Sequence, residues 1–287
     1  MLHELPLERR TLHGHFSKDL EPVLVIDPGD SVRFSTPSAW WVLASGEQFG
    51  PLEKGLDDGH AIAGPVDVRG ARPGGVLAVT TEWVRPAGWG RTSVYGHGLD
   101  LDWNLDAERA TATTLGRTVE VRPFLGVMGM PPPEPGIHPT RPPRPYGGNI
   151  DCAELVAGTT LFLPIPVDGG LFSAGDGHAR QGDGEISGSA IESPVEAQVK
   201  LELRDDFELE WPVARIEGAW LSFGFDEDLD AAATIAIDGM LDVMIRELGV
   251  TRPEAIGLAS VVLDLRVTQI VNGVKGVHAV LRDDVFR

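Results

Sequence analysis

Two Gly-Asp-Gly triplets within residues 171–198 carry the side chains best suited to chemistry in this chain. The first triplet contains Asp176 and is followed by His178, the second is followed by Glu185, and Glu192 comes seven residues later. Carboxylate oxygens and an imidazole nitrogen bind divalent metals, and either group can act as a general base. The same triplets also form common tight turns in which the aspartate bonds its own loop. Spacing alone therefore leaves both interpretations open.

A second polar motif, "GGNID", lies some twenty-five residues upstream of the first triplet. Asn149 and Asp151 alternate, so an extended backbone would project both side chains to the same face. The two preceding glycines permit close approach of a ligand or of another strand. In the alternative interpretation, the asparagine and aspartate cap backbone groups of a local turn. Weaker candidates are the histidines in glycine-rich or proline-rich loops, namely His60, His97 and His138.

Composition limits the classes of partner. The chain has 287 residues and a net charge of -19, which disfavours nucleic acid and anionic membranes as partners. It contains no apolar run long enough for a membrane span and no secretory signal, and its single cysteine, Cys152, cannot form an internal disulfide. These features predict a cytoplasmic protein. The sequence also lacks the Gly-x-Ser-x-Gly, Gly-Lys-Ser/Thr and dinucleotide-binding motifs, which argues against serine hydrolases, nucleotide triphosphatases and dehydrogenases.

The elements that must position these residues are mostly strands. Alternating apolar and polar residues, 35 glycines and 22 prolines predict a mainly β (α+β) fold with many short strands. A helical pair is predicted near the C-terminus, one helix over 226–248 ended by Gly249 and a second beginning at a Thr251–Glu254 capping box. A final hairpin is predicted to turn at Asn272 and Gly273. Strands are expected in 22–27, 30–36, 117–130, 159–167, 170–175, 184–193 and 195–203, and a pair of strands around a turn at 70–75 is expected in 64–84.

The proline-rich segment 131–148 is the candidate domain boundary. It is too stiff and too poor in backbone donors for a central strand, and long ordered loops often border functional sites. We therefore expect it to form a wall of the site as well. The predicted division is an N-terminal β domain over 1–140 and a C-terminal β-rich domain with helices over 141–287, or else one intertwined unit.

Residues 147–203 closely resemble the signature region of the acetamidase/formamidase family. That family shows Gly-Gly-Asn-Met-Asp, then Leu-Phe-Ser-x-Gly-Asp-Gly-His-Ala-x-Gln-Gly-Asp-Gly-Glu, then Ala-Ile-Glu-Thr-Pro, and this chain reads "GGNID", "LFSAGDGHARQGDGE" and "AIESP". Segments 63–79, 122–132 and 261–272 are similar to further family motifs. The resemblance implies a β-sandwich or barrel-like fold and hydrolysis of a small, formamide-like or acetamide-like carboxamide to a carboxylate and ammonia. It also implies a homodimer or a higher homo-oligomer.

The resemblance places the family's polar positions on particular residues. From their chemistry, we expect Asp151, His178 and His60 to bind a divalent metal, with zinc as the first choice and calcium as the alternative. Glu192, Asn149 and Asp176 are the expected catalytic residues, with Glu192 as general base and Asn149 as oxyanion donor. The matched positions are Asn149, Asp151, Asp176, His178, Gln181, Asp183, Glu185 and Glu192, of which Asp183 and Glu185 are expected only to shape the second turn.

One stretch departs from the family pattern. In "FSTPSAWW", Ser35 and Ser38 stand where the family has acids, and Trp40 and Trp41 stand where it often has small residues. The change favours an amide other than formamide or acetamide, or a catalytically altered or inactive relative that binds a small ligand. A third hypothesis uses no metal and has Cys152 or a serine attack the amide with help from His178.

Overall fold

The computed structural model describes residues 1–286 and has the expected mainly β architecture with two helices near the C-terminus. Two 3-10 turns lie at Arg9–Thr11 and Asp283–Val285. The helices are α1 (Leu229–Leu248) and α2 (Arg252–Val262). The strands are β1 (Leu2–Leu5), β2 (Leu12–His13), β3 (His15–Phe16), β4 (Leu24–Ile26), β5 (Ser31–Thr36), β6 (Ile62–Val68), β7 (Val76–Pro86), β8 (Trp89–Val94), β9 (Leu99–Asp106), β10 (Thr111–Thr114), β11 (Arg117–Glu120), β12 (Phe124–Gly129), β13 (His138–Pro139), β14 (Gly147–Asn149), β15 (Thr160–Pro164), β16 (Phe172–His178), β17 (Val195–Arg204), β18 (Val213–Ile216), β19 (Ala219–Asp226), β20 (Asp264–Asn272) and β21 (Val274–Arg282).

The strands form two large sheets with two smaller ones beside them. The nine-stranded sheet has the order β1-β5-β17-β7-β15-β18-β19-β21-β20, and the second has the order β14-β12-β16-β6-β2 with β4 added beside β6. A four-stranded meander, β11-β10-β9-β8, and the pair β13-β3 complete the fold. Both large sheets take strands from each side of residue 140, so the two halves of the chain are interleaved.

The middle of the nine-stranded sheet is covered on both faces. Along β7, Leu77 and Val79 belong to the main core together with residues of the second sheet, whereas Val76 and Ala78 face the core formed with the helices. Successive side chains of a strand point to opposite faces, which explains this division. The architecture is a β-sandwich with the helical pair packed on its outer side.

The helical pair follows its capping signals. The Asp228 carboxylate accepts hydrogen bonds from the first-turn backbone N–H groups of α1, and Gly249 ends that helix with a φ of 68°. The helix begins later than predicted because Asp226 still belongs to β19. At α2, the Thr251 N–H donates to the Glu254 carboxylate at 2.8 Å, as the capping box requires. No helix within residues 1–286 is long and apolar enough to cross a membrane.

The first Gly-Asp-Gly triplet does not form a turn. It lies within β16, and its glycines serve close packing instead. A Cβ on Gly175 would lie 2.3 Å from the Ala61 carbonyl oxygen, and one on Gly177 would lie 2.1 Å from a Val195 methyl carbon. Conversely, the predicted strand over 184–193 is a loop joined to its neighbours by isolated bridges. The glycines here are explained by the close approach of neighbouring segments of the same chain and not by a turn.

Candidate active site

The candidate site lies on the second sheet, where β14, β12 and β16 run side by side. Asn149 ends β14, Asp151 follows it, and Asp176 and His178 lie at the end of β16. The central strand β12 places Gly126 between these groups. A Cβ on Gly126 would lie 2.7 Å from Asp151 Oδ1, 2.7 Å from Asp176 Oδ2 and 2.9 Å from His178 Cε1. The acids and the histidine therefore converge over a glycine that has no side chain.

His178 is the centre of the cluster. Its Nε2 lies 3.1 Å from Glu192 Oε2, 3.4 Å from Asp176 Oδ2 and 4.0 Å from Asp151 Oδ1. Glu192 lies in the loop after β16, and an isolated antiparallel bridge pairs its backbone with that of His178. Its Oε1 accepts from the Ala190 N–H at 2.8 Å, so Oε2 is the oxygen that faces the histidine. All four side chains are buried.

Two amide side chains orient this cluster. His178 Nδ1 lies 3.0 Å from Gln181 Oε1, and Gln181 Nε2 donates to the Asp151 carbonyl at 2.6 Å. Because the second bond directs the Gln181 oxygen to Nδ1, Nδ1 carries a proton and Nε2 is the nitrogen presented to the acids. Asn272, from the hairpin between β20 and β21, donates through Nδ2 to Asp151 Oδ2 at 2.7 Å. Asp151 Oδ1 is thereby left facing His178.

Three of the site acids have strained backbones. Asp151, Asp176 and Glu185 have φ values of 52°, 58° and 45°, in the left-handed region that residues other than glycine rarely adopt. Such strain costs on the order of 1–3 kcal/mol per residue and persists where the surrounding structure enforces it, most often at functional sites. Asp151 is held by a 3.3 Å bond from its N–H to the Gly126 carbonyl. The strained backbone lowers the free energy of unfolding, and in return the three carboxylates point into the site.

Burial and crowding of like charges govern the pKa values. Burial, with Asp176 and Glu192 nearby, raises the pKa of Asp151 to about 7 despite the opposing effect of His178. Burial and the Asp151 carboxylate raise the pKa of Glu185 to about 10, and burial also raises the pKa of Glu192. Burial would raise the pKa of Asp176 as well, but His60 and His178 outweigh it and the pKa is lowered. For His178, the carboxylates of Glu192 and Asp176 outweigh burial and raise its pKa well above 6.5.

These shifts predict how the stability of metal-free protein depends on pH. Asp151, Glu185, Glu192 and His178 all bind protons more tightly in the folded chain, so the folded state retains protons that the unfolded state releases as pH rises. We expect the free energy of unfolding to fall between pH 5 and pH 8, by up to about 1.4 kcal/mol per pH unit for each such proton. Urea unfolding of chelator-treated protein measures the slope. Asp151→Asn should reduce it, and an unchanged slope would contradict the assignment of Asp151.

A cavity of about 690 Å³ opens above the cluster. Asn149 lines it with its side chain buried and its Oδ1 without a hydrogen-bond partner among the described residues. His60 also lines it, with Nδ1 3.0 Å from the Thr140 hydroxyl, but His60 lies outside the compact groups of potential metal ligands. Pro139, Thr140 and Arg141 contribute one wall, so the proline-rich segment borders the site as predicted.

Glu185 contributes more than the turn-shaping role we predicted for it. It lines the cavity, and its carboxylate lies within 4.8 Å of ligand atoms of Asp151 and His178. The bond from the Gly184 N–H to the Thr268 carbonyl, at 3.0 Å, ties this turn to β20. Asp183 points elsewhere and pairs with Arg266 at 2.7 Å. Asp183 and Glu185 are only two residues apart in the sequence, and nothing in that spacing indicated which of them would face the cavity.

The remaining sequence candidates do not line the cavity. The N–H of His97 is bonded to the Val94 carbonyl, and His138 Nε2 lies 3.1 Å from the Glu134 carbonyl oxygen. Ser35 sits in β5 opposite Glu196, and the buried Ser38 accepts the Trp41 N–H in a tight turn. Ala39 and Trp40 of the "FSTPSAWW" stretch do line the cavity, so the stretch contributes bulk there rather than charge.

The donor set fits a divalent cation. One group combines Asp151, His178 and Glu185, and another combines Asp176, His178 and Glu192, each with its ligand atoms within 4.8 Å of one another. Four carboxylate oxygens in this cluster are buried without hydrogen-bond partners within residues 1–286: Asp151 Oδ1, Asp176 Oδ1, Glu185 Oε2 and Glu192 Oε2. Buried unpaired carboxylates are costly, and a bound cation would offset that cost. Oxygen and imidazole donors together suit zinc, and the several carboxylate oxygens also allow calcium.

Comparison with known proteins finds similarity in the segment that carries the cluster. The model of the "Acetamidase/Formamidase family" matches residues 134–217, which include most of the cluster. Acetamidase from Mycolicibacterium smegmatis is 22% identical, over 61% of this chain and 61% of its own length. Formamidase from Methylophilus methylotrophus is 43% identical over 68 residues, which cover 23% of this chain and 17% of that protein. The chain thus matches less than two thirds of the length of either relative.

Similarity to a solved structure extends over the whole chain. The crystal structure of acetamidase from Yersinia enterocolitica superimposes with a TM-score of 0.89 and 26% identity, covering 100% of this chain and 93% of that one. The shared fold carries the matched signature segment, and that segment supplies the histidine and the acids of the cluster. In its signature segment and in its fold, the chain is therefore similar to the acetamidase/formamidase family.

Proposed function

We propose that the protein hydrolyses a carboxamide to a carboxylate and ammonia in this cavity. The observation that carries the proposal is the buried cluster of Glu192, Asp176 and Asp151 around His178 Nε2, in a chain that resembles this family. A carboxylate that can accept a proton, Glu192, lies beside further carboxylate oxygens at the bottom of an open cavity, as amide hydrolysis requires.

A divalent ion completes the proposed site. Asp151, His178 and Glu185 would hold it, and His60, from the neighbouring wall, is the further ligand proposed from the sequence. Such an ion, zinc before calcium, would polarise the amide carbonyl and would lower the pKa of a bound water molecule toward neutrality.

Glu192 is the proposed general base. Its Oε1 accepts from the Ala190 N–H, and its Oε2 lies 3.1 Å from His178 Nε2. Its raised pKa allows it to accept a proton from water near neutral pH and to pass that proton to the leaving amine. Asp176 stays ionised because its pKa is lowered, and it keeps a negative charge beside His178.

Asn149 is the proposed donor to the developing oxyanion. Its side chain is buried on the cavity wall, at the end of a strand paired with β12, and is therefore rigidly placed. An amide N–H fixed in this way can stabilise negative charge on the carbonyl oxygen as the tetrahedral intermediate forms.

Ammonia release from formamide, acetamide and propionamide, measured before and after treatment with a chelator, tests the proposal. We expect turnover that is lost on chelation and returns on addition of zinc, together with about one ion per chain by metal analysis. Activity that survives complete removal of metal would reject the metal and leave hydrolysis standing. Absence of turnover across a broad panel of amides that includes phenylacetamide would reject hydrolysis itself.

Cys152→Ala tests the mechanism without a metal. Cys152 is buried, does not line the cavity, and donates its S–H to Glu154 Oε2 at 3.2 Å. Burial and the Glu154 carboxylate raise the pKa of its thiol, which opposes formation of the nucleophilic thiolate. We expect kcat for amide hydrolysis to stay within about twofold of wild type. A loss of more than a hundredfold in a folded variant would instead identify Cys152 as the nucleophile.

The second candidate function is ligand binding without turnover. Ser35 and Ser38, in place of family acids, favour it, and ligand binding in the absence of any amide hydrolysis would support it. Cytoplasmic location and assembly into a homo-oligomer also stay proposals. Gel filtration with light scattering measures the assembly.

A further inference from the structure

The cavity is much larger than a small amide. At about 30 Å³ for each non-hydrogen atom, a volume of about 690 Å³ has space for roughly twenty such atoms. Formamide and acetamide have only a few, and either one bound at the acids would leave most of the cavity filled with water. The size is instead typical of sites that bind much larger ligands.

The outer wall of the cavity is aromatic and aliphatic. Trp40 Nε1 donates to the Tyr95 hydroxyl at 3.3 Å, so the two rings form one continuous surface. Tyr95 is 52% exposed and Ile186, on the adjoining rim, is 86% exposed. Large apolar groups left in solvent around a concave site mark a surface that a ligand covers.

The tyrosine ring is held in place by a glycine. A Cβ on Gly188 would lie 2.7 Å from Tyr95 Cδ2, so the ring packs directly on the backbone of the loop that carries Glu185 and Ser189. The Tyr95 N–H also bonds the Ser187 carbonyl at 3.3 Å. The aromatic wall and the acidic cluster are therefore connected through a single short loop.

The charges on the cavity wall argue for a neutral substrate. Asp151, Asp176, Glu185 and Glu192 surround His178 at its base, and the rim carries one acid, Asp58, and one guanidinium, Arg141. A carboxylate on the acyl group of the substrate would be repelled by the four acids. The opposite charges of Asp58 and Arg141 at the rim offset each other and favour neither sign of charge. Contact with Trp40 and Tyr95 is available to an uncharged ring.

We propose that the substrate is the primary amide of a neutral acid with an aromatic or similarly bulky apolar group. The amide lies at Glu192 and His178, and the ring packs against Trp40 and Tyr95. This inference rests on the proposed amidase activity and adds the substrate class to it.

Comparison of phenylacetamide with acetamide tests the inference. We expect kcat/KM to be at least about tenfold higher for phenylacetamide, since an aromatic contact contributes binding beyond its buried area. Trp40→Ala should lower the ratio of the two kcat/KM values by about tenfold, and Trp40→Phe should keep most of it. Trp83→Ala is the matched control, because Trp83 is a half-buried tryptophan that does not line the cavity.

Equal or higher kcat/KM for acetamide would overturn the inference and leave the amidase proposal intact. Absence of turnover on all amides would reject the amidase proposal, and calorimetric binding of phenylacetamide and acetamide then decides the inference. Binding of phenylacetamide at least about tenfold tighter, and lost in Trp40→Ala, supports an aromatic subsite. Equal binding of the two amides, or binding unaffected by Trp40→Ala, overturns it.

Discussion

Glu192→Gln should reduce kcat for amide hydrolysis by roughly 10²–10⁴-fold while the protein stays folded. The substitution preserves the size of the side chain and removes its ability to accept a proton. It also leaves an oxygen that can accept the Ala190 N–H bond, now made at 2.8 Å, so the loop should keep its conformation. KM should change much less than kcat, because the proton is transferred only during the reaction.

Glu196→Gln is the control for this substitution. Glu196 lies four residues further along the chain, in β17, and does not line the cavity. Its kcat should stay within about twofold of wild type, since surface substitutions away from a site have small effects. If Glu192→Gln retained wild-type kcat with unchanged metal content, Glu192 would not be the general base, and Glu185 would be the next candidate because it lines the same cavity.

Gly126→Ala should abolish both tight metal binding and activity. The added methyl group would lie 2.7 Å from one oxygen each of Asp151 and Asp176, and these side chains belong to backbones already held in a strained conformation. They must move apart by several tenths of an ångström or more. A displacement of about 1 Å at a catalytic group can cost about a hundredfold in rate. We therefore expect kcat/KM to fall by at least that factor and the bound ion to be lost on dialysis.

Gly88→Ala is the matched control for Gly126→Ala, since a Cβ on Gly88 would have no atom within 4 Å and the φ of Gly88 is not in the left-handed range. It should retain wild-type metal content and activity. Circular dichroism and thermal unfolding separate a local change at the site from loss of the fold. A folded Gly126→Ala protein with full metal content and full activity would show that convergence over β12 is not required.

Local patterns in the sequence predicted the parts of this protein that depend on near neighbours. The Thr251–Glu254 capping box, the glycine that ends α1 and the Asn-Gly turn of the last hairpin all lie where expected, because each is a contact between residues close in sequence. Period-two alternation likewise predicted strands such as β17. The signature residues His178 and Glu192 could be named from their side-chain chemistry and family resemblance.

The lateral order of the strands was not encoded in any local pattern. The order β14-β12-β16 brings residues 126, 149, 151 and 178 together, and periodicity along one strand carries no information about which strand lies beside it. For this reason Gly126 and Asn272 could not be recognised beforehand, and the strand expected over 170–175 ended before the rest of the first Gly-Asp-Gly triplet, which β16 contains. Residue types indicated acid–base and metal-ligand chemistry. Which acids meet at His178 depends on packing between segments that are distant in the sequence. Buried charges stay close together only because strained backbones direct them inward, Gly126 leaves space for them, and amide side chains such as Asn272 hold them in place.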